Sequence, residues 1–162
     1  MPTTLTEIIP QDMHQLCASS LFNRTLDQLE RTDRAPIDDE TMLNMAHASL
    51  WHWRVVGRPV NWARGEWLVS RVNSVLNRPE SALLHAQNYL GLCDEHQLPE
   101  YDRAFAHEAV ARAHSIGGDA KGVATHVQYG LAAAEHIKNP DDREWVLRNL
   151  GSVTTEPSRR HG

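Results

Sequence analysis

The sequence has few cysteines, no long apolar run and no excess of basic residues. Its two cysteines, Cys17 and Cys93, lie far apart, and neither belongs to a Cys-x-x-Cys pair. A redox motif or zinc knuckle is therefore unsupported, and we expect two buried, reduced thiols.

No apolar run approaches the roughly 20 residues that span a bilayer, and residues 1–10 lack the basic start and apolar core of a signal peptide. We expect a cytoplasmic protein that makes no membrane contact.

The charge balance argues against a nucleic-acid partner. The chain carries 16 basic and 21 acidic side chains, a formal net charge of -5, and both signs are interspersed along it. No basic stripe is available to neutralise a phosphate backbone. At 162 residues the chain suits one compact domain, which we place at residues 1–150, followed by a disordered polar tail at 151–162. Ten histidines and five tryptophans are the only compositional hints of a site.

Helical periodicity recurs along the chain, and no run alternates apolar and polar residues as a strand would. We therefore predict an all-α fold of about seven helices, with Asp38 and Asn61 as N-caps and Gly117-Gly118 as a stop. The first helix should bury a broad stripe of Met13, Leu16, Cys17, Phe22, Leu26 and Leu29. The predicted helices cover residues 11–30, 38–56, 62–76, 79–96, 99–116, 119–138 and, as a short last helix, 140–150.

Two parts of the chain resemble one another. The stretch at residues 69–77 returns at 110–118, 41 positions later, and 6 of the 28 positions from 69 to 96 are identical to their partners. The same register pairs His85 with His126. These observations predict an internal helical repeat.

The segment from Val110 to Val123 resembles the tetratricopeptide repeat, a pair of antiparallel helices with small residues at their contact. Ala111 takes the small position, His114 the usual aromatic position, and Gly118-Asp119 the turn. The preceding unit matches through Ser70, Asn73, Asn77 and Ala82. The resemblance implies helix pairs stacked as a short right-handed superhelix, with the clearest units at residues 62–97 and 101–138. It also implies a scaffold that binds a protein or a peptide.

In such repeats the first helix of each pair lines a concave groove. Arg71 and Arg112 occupy equivalent positions, and two neighbouring arginines can bind the carboxylates of an acidic peptide bidentately. The alternative is a structural pair in which Glu108 bonds Arg112 on the surface at i+4 spacing. The predicted groove residues are Arg64, Trp67, Arg71, Phe105, Glu108 and Arg112.

The tryptophans and histidines leave further alternatives open. Four tryptophans lie between Trp51 and Trp67, and they form either an aromatic ligand pocket or core wedges whose indole N–H groups reach nearby carbonyls. No histidine pair on one helix has the i, i+4 spacing that metal sites use. A metal site assembled from different helices would draw on His47, His107, Glu108 and His114.

These patterns favour a non-enzymatic binding or assembly module with no cofactor, a possibly acidic protein or peptide partner, and a homodimer through its terminal helices. The alternative is a helical metal-dependent enzyme or small-molecule sensor that uses the tryptophan cluster and the histidines of the second and fifth helices. A third hypothesis is a structural subunit of a larger complex.

Overall fold

A computed structural model describes residues 8–155, and side chains through residue 153. This part of the chain is helical and contains no strand, which confirms the all-α prediction. Seven helices lie within it, none of them both long and apolar enough to cross a membrane. They are α1 (Gln11–Glu30), α2 (Pro36–Val56), α3 (Pro59–Val75), α4 (Pro79–Glu95), α5 (Glu100–Gly117), α6 (Ala120–Glu135) and α7 (Pro140–Thr155).

Two helices begin earlier than their capping residues predicted. Asp38 lies in the first turn of α2, where its carboxylate accepts the Ala35 backbone N–H at 2.9 Å. Asn61 does the same for the Arg58 backbone N–H at the start of α3, also at 2.9 Å. Both side chains therefore act from the third helical position back toward the N-cap, as in a capping box, and the N-cap prediction was wrong for both.

The other helix ends lie close to their predicted positions. Asp119 caps α6 by accepting the Gly122 backbone N–H at 3.0 Å. Gly118, with φ of +78°, ends α5 in the left-handed conformation that glycine adopts at little cost. The last helix is longer than predicted, because α7 continues to Thr155. The disorder predicted from residue 151 is therefore wrong for 151–155, and residues 156–162 lie outside the described part.

The helices pack as adjacent antiparallel pairs. The main partners are α1 with α2, α3 with α4, and α5 with α6, and successive pairs are joined by contacts of α2 with α3, α4 with α5, and α6 with α7. The odd-numbered helices also contact one another in sequence, from α1 to α3, α5 and α7. The odd-numbered helices thus form one layer and the even-numbered helices the other, an arrangement consistent with a helical repeat.

Small residues allow the helices to approach closely. Gly65 lies on α3 where an added Cβ would stand 2.8 Å from the Leu50 side chain of α2.

Trp67 of α3 packs against both large apolar clusters, one centred on Met42 and Leu68 and the other on Tyr89 and Phe105. The centre of the molecule is consequently the α3–α5 region.

The first helix buries a different face from the predicted one. Met13 and Leu16 are exposed, and Cys17 is only partly buried, whereas His14, Ala18 and Thr25 are buried. The polar pair is accommodated because His14 shares a hydrogen bond with His52 of α2, and the Thr25 hydroxyl donates to the Leu21 carbonyl. Phe22, Leu26 and Leu29, the other half of the predicted stripe, are partly buried against the cluster around Met42 and Leu68. Cys93 is buried as expected, and burial raises the pKa of its thiol to about 12.

Candidate functional site

A buried carboxylate fixes an arginine between α3 and α5. Asp102 of α5 has no exposed surface and accepts two hydrogen bonds from Arg64 of α3, from Nε at 2.8 Å and from Nη2 at 3.1 Å. The Tyr89 hydroxyl of α4 donates a third at 3.0 Å. The Arg64 side chain nevertheless keeps 49 % of its surface exposed. Its hydrogen bond to Asp102 raises the pKa of Arg64, so the guanidinium is a permanent cation held in one orientation.

An aromatic row continues from this arginine. The Arg64 guanidinium lies 5.7 Å from the centre of the Tyr101 ring, and Tyr101 packs on Phe105 at 5.0 Å. Phe105 contacts Trp67 edge to face at 6.3 Å. Phe105 is buried, whereas Tyr101 and Trp67 are partly exposed. We call the group of Arg64, Trp67 and Tyr101, with Phe105 beneath them, the Arg64 surface.

The second predicted groove arginine is closed off from solvent. The Arg112 and Glu108 side chains are each only 3 % exposed, and Arg112 Nε donates to Glu108 Oε1 at 2.7 Å. Arg112 Nη2 also donates to the Ser152 hydroxyl of α7 at 2.7 Å and to the Asn149 carbonyl at 3.3 Å. The prediction that Arg112 and Glu108 line a groove is therefore wrong, and so is the surface location of their pair. They connect α5 to α7 inside the molecule, while Arg71 of α3 is partly buried.

A further buried carboxylate, which sequence reasoning missed, lies between α2, α3 and α4. Glu66 of α3 accepts hydrogen bonds from Arg54 at 3.1 Å, from Asn88 at 3.3 Å and from His85 Nδ1 at 2.6 Å. Burial alone would raise the pKa of Glu66, but these hydrogen bonds and the His85 charge hold it below its ordinary value. His47 of α2 packs on His85 with ring centres 5.5 Å apart.

The tryptophans do not meet in one pocket. The Trp62 indole N–H donates to the Trp53 carbonyl at 2.9 Å, and the Arg54 guanidinium lies 5.3 Å from the Trp62 ring centre. Trp62 thus behaves as the core wedge of the second interpretation. Trp51 lies against His14 and His52 and is partly exposed. The Trp67 indole N–H is buried and has no acceptor within residues 8–153.

The four candidate metal ligands are not assembled as one site. His107 and His114 of α5 both contact His126 of α6, with ring centres 5.3 Å and 5.7 Å apart, whereas His47 lies against His85 and Glu108 bonds Arg112. No group of three or more His, Cys, Asp or Glu side chains among the described residues is arranged to hold a metal ion.

The residues that sequence reasoning missed share a recognisable signal. Asp102 lies on the same helical face as Ala106, Ala109 and Ala113, and all four are buried. Glu66 likewise follows the spacing of Ser70 and Asn73 on the buried face of α3. An acidic residue within an apolar or small-residue stripe indicates a buried carboxylate that needs a partner, and this pattern could have been read from the sequence.

No protein-family model, curated protein or solved structure matches the chain.

Proposed function

We propose that this protein is a non-enzymatic binding or assembly module of the cytoplasm, resembling tetratricopeptide repeats, and that the Arg64 surface is where a protein or peptide partner docks. The partner would present carboxylate or carbonyl oxygens to Arg64 and an apolar side chain to Tyr101 and Trp67. These three residue types are the ones that dominate binding hot spots.

The observation that carries this proposal is the fixed, half-exposed Arg64. Nε and Nη2 are held by Asp102, while Nη1 makes no hydrogen bond within residues 8–153 and retains two N–H groups for a partner. An arginine that is already ordered loses little side-chain entropy on binding, a saving of about 0.5–1.5 kcal/mol relative to a mobile side chain. Asp102 therefore holds Arg64 in one orientation for recognition and also balances its positive charge.

The docking surface proposed here is narrower than the predicted groove. Arg112 is buried against Glu108, so it is not available to bind a peptide carboxylate together with Arg71. Arg71 lies seven residues after Arg64 and therefore on the same face of α3. A bound peptide running along α3 from Arg64 would pass Trp67 and then Arg71.

The packing of α3 on α4 supports the resemblance on which the proposal partly rests. Ser70 and Ala82 hold the two small positions of the first unit, and the Ser70 hydroxyl donates to the Ala82 carbonyl across the helix pair at 2.8 Å. Both residues are buried. Close contact at these two positions is what the repeat requires of small side chains.

We also propose that the module forms a homodimer through its terminal helices. Met13 and Leu16 are exposed on α1, and Trp145 and Leu147 are exposed on α7. An array of helix pairs leaves apolar surface at its two ends, and a second copy can cover it. Sedimentation velocity of Leu16→Glu and Leu147→Glu should show which end is used, and a wild-type monomer at all concentrations would contradict the dimer.

Selection from a displayed library of random linear peptides tests the docking surface. We expect the immobilised protein to enrich peptides that combine an acidic residue with an apolar one. Arg64→Lys should lower their retention at least tenfold, because lysine keeps the positive charge near Asp102 but lacks the planar fork.

Arg148→Lys is the matched control. Arg148 also lies beside an aromatic ring, 5.8 Å from the centre of Trp145, but its carboxylate partner Glu144 is exposed. This variant should retain the selected peptides. No enrichment by the wild type, or equal retention by Arg64→Lys, would overturn the proposal.

A further inference from the structure

Two pairs of histidines face each other with their ring nitrogens. His14 Nδ1 of α1 lies 2.8 Å from His52 Nδ1 of α2, and His107 Nδ1 of α5 lies 3.1 Å from His126 Nδ1 of α6. Two neutral imidazoles make such a contact when one carries a hydrogen at Nδ1 and the other offers a lone pair. In each pair, two metal-ligating nitrogens are already side by side across a helix contact.

The spacing of the second pair is that of two ligands on one ion. Imidazole nitrogens bind zinc at about 2.0–2.1 Å, which places two of them about 2.9 Å apart at a right angle and about 3.4 Å apart at the tetrahedral angle. The 3.1 Å between His107 Nδ1 and His126 Nδ1 falls between these values. The two nitrogens are therefore already at ligand spacing, and each ring must tilt to aim its lone pair at an ion beside the line that joins them.

We propose that His107 and His126 form a two-histidine site for a divalent transition cation of the zinc, nickel or copper type, with water in the remaining coordination positions. The ion replaces the hydrogen that lies between the two rings. The ring that carried this hydrogen at Nδ1 loses it to water and takes up a proton at Nε2, so both imidazoles stay neutral. Imidazole suits all three of these metals.

The surroundings keep both rings in the neutral form that binds metal. Burial lowers the pKa of His107 to about 4, with His126 and Arg103 contributing further, while Asp94 opposes the shift. Burial, followed by the charge of His114, lowers the pKa of His126. Metal binding at neutral pH therefore releases no net proton.

His114 and Tyr129 border this pair. His114 stacks on His126 and is held by Asp119 at 3.0 Å, while the exposed Tyr129 packs on both rings, 5.3 Å from His107 and 5.8 Å from His126. Since Tyr129 is more than half exposed, the edge it covers borders solvent. An ion and its waters would enter from that edge.

The other histidine pair should not bind a metal in this way. His14 is fully buried, and its Nε2 has no hydrogen-bond partner within the described residues. A metal on Nδ1 would force the ring hydrogen onto this Nε2, leaving a buried N–H without an acceptor at a cost of about 1–3 kcal/mol. The His14–His52 pair therefore serves as a control for the His107–His126 pair within the same protein.

Isothermal titration of the untagged, chelator-treated protein with Zn²⁺ and Ni²⁺ at pH 7.5 tests the site. We expect one ion per chain for the wild type. His107→Gln and His126→Gln should each lower the affinity at least tenfold, and His52→Gln, which disrupts the other pair, should leave it unchanged. Loss of affinity in His52→Gln alone would overturn the assignment.

Long-range ¹H–¹⁵N spectra of the imidazoles in the wild type provide a measurement that does not depend on variant folding. One equivalent of Zn²⁺ should shift the Nδ1 resonances of His107 and His126 and leave those of His14 and His52 in place. The proposal is overturned if the wild type takes up no stoichiometric ion, or if the ion shifts other histidines and not these two.

Discussion

Two pairs of glutamate and arginine have the same i, i+4 spacing but opposite environments. Glu108 and Arg112 of α5 are each 3 % exposed, whereas Glu144 and Arg148 of α7 are 71 % and 64 % exposed. The buried pair gains further bonds to α7, while the exposed pair makes a single hydrogen bond at 2.9 Å. Spacing therefore identifies partners, but burial decides how strongly a pair matters.

The Arg64–Asp102 pair is intermediate between them. Its carboxylate is completely buried and its guanidinium is half exposed. A buried acid holds the arginine in place, and the arginine still reaches solvent. This combination is what makes Arg64, rather than Arg112 or Arg148, the proposed anchor for a partner.

Glu108→Gln should lower the free energy of unfolding more than the other substitutions proposed below. The substitution removes the carboxylate from beside a buried guanidinium, and such a loss costs about 3–5 kcal/mol of unfolding free energy. Urea unfolding at pH 7 followed by circular dichroism measures it. A loss below about 1 kcal/mol would mean that the pair behaves like a surface pair, and the comparison would fail.

Asp102→Asn should lower the free energy of unfolding less than Glu108→Gln does. The buried amide can still accept a hydrogen bond from Tyr89, and Arg64 can turn toward water because it is half exposed. We expect a loss of about 1–3 kcal/mol in the same unfolding measurement. A loss as large as that of Glu108→Gln would show that the exposure of Arg64 is irrelevant to the energetics.

The free energy of unfolding should depend on pH through His107, which also lies on α5. The unfolded chain protonates this ring near its ordinary pKa of 6.5, whereas burial delays protonation in the folded protein to about 4. The unfolded state therefore binds more protons between these values, and the unfolding free energy falls as the pH drops from 6.5 to 4.

His107→Gln should flatten this decline by about 1–2 kcal/mol, measured by urea unfolding at several pH values in the presence of a chelator. His136→Gln removes an exposed histidine and serves as the control. An unchanged slope in His107→Gln would show that the ring is not held neutral by its surroundings.

Glu144→Gln should change the free energy of unfolding least. Both side chains of this pair are solvated, so the loss should stay within about 0.5 kcal/mol and should disappear in 1 M salt. A loss above 1 kcal/mol would mean that the exposed pair of α7 is energetically similar to the buried pair of α5.

The positions of the helices were well predicted because the residues that start and end a helix lie within a few positions of its ends. Prolines at positions 36, 59, 79 and 140 each occupy the first turn of a helix, and Gly118 ends another. The two misplaced caps arose because aspartate and asparagine can act either as the N-cap itself or from the third helical position. Spacing cannot distinguish these two roles.

The site was less predictable because its contacts cross long stretches of chain. Arg64 meets Asp102, and His14 meets His52, each 38 residues apart. The repeat predicted that Arg64, Trp67 and Phe105 lie in one region, but its two units do not include α7, which closes off Arg112. The burial of His14 in place of Met13 and Leu16 depends on which face α2 covers, and that is set by tertiary packing.

The rigidity of Arg64 can be measured by ¹⁵N relaxation of the arginine Nε groups in the wild-type protein. If Asp102 holds Arg64 as a ready anchor, the Arg64 Nε–H should show an order parameter near that of rigid backbone, about 0.85, and Arg148 should fall below about 0.6. Equal mobility of Arg64 and Arg148 would contradict the claim that a buried carboxylate prepares Arg64 for binding.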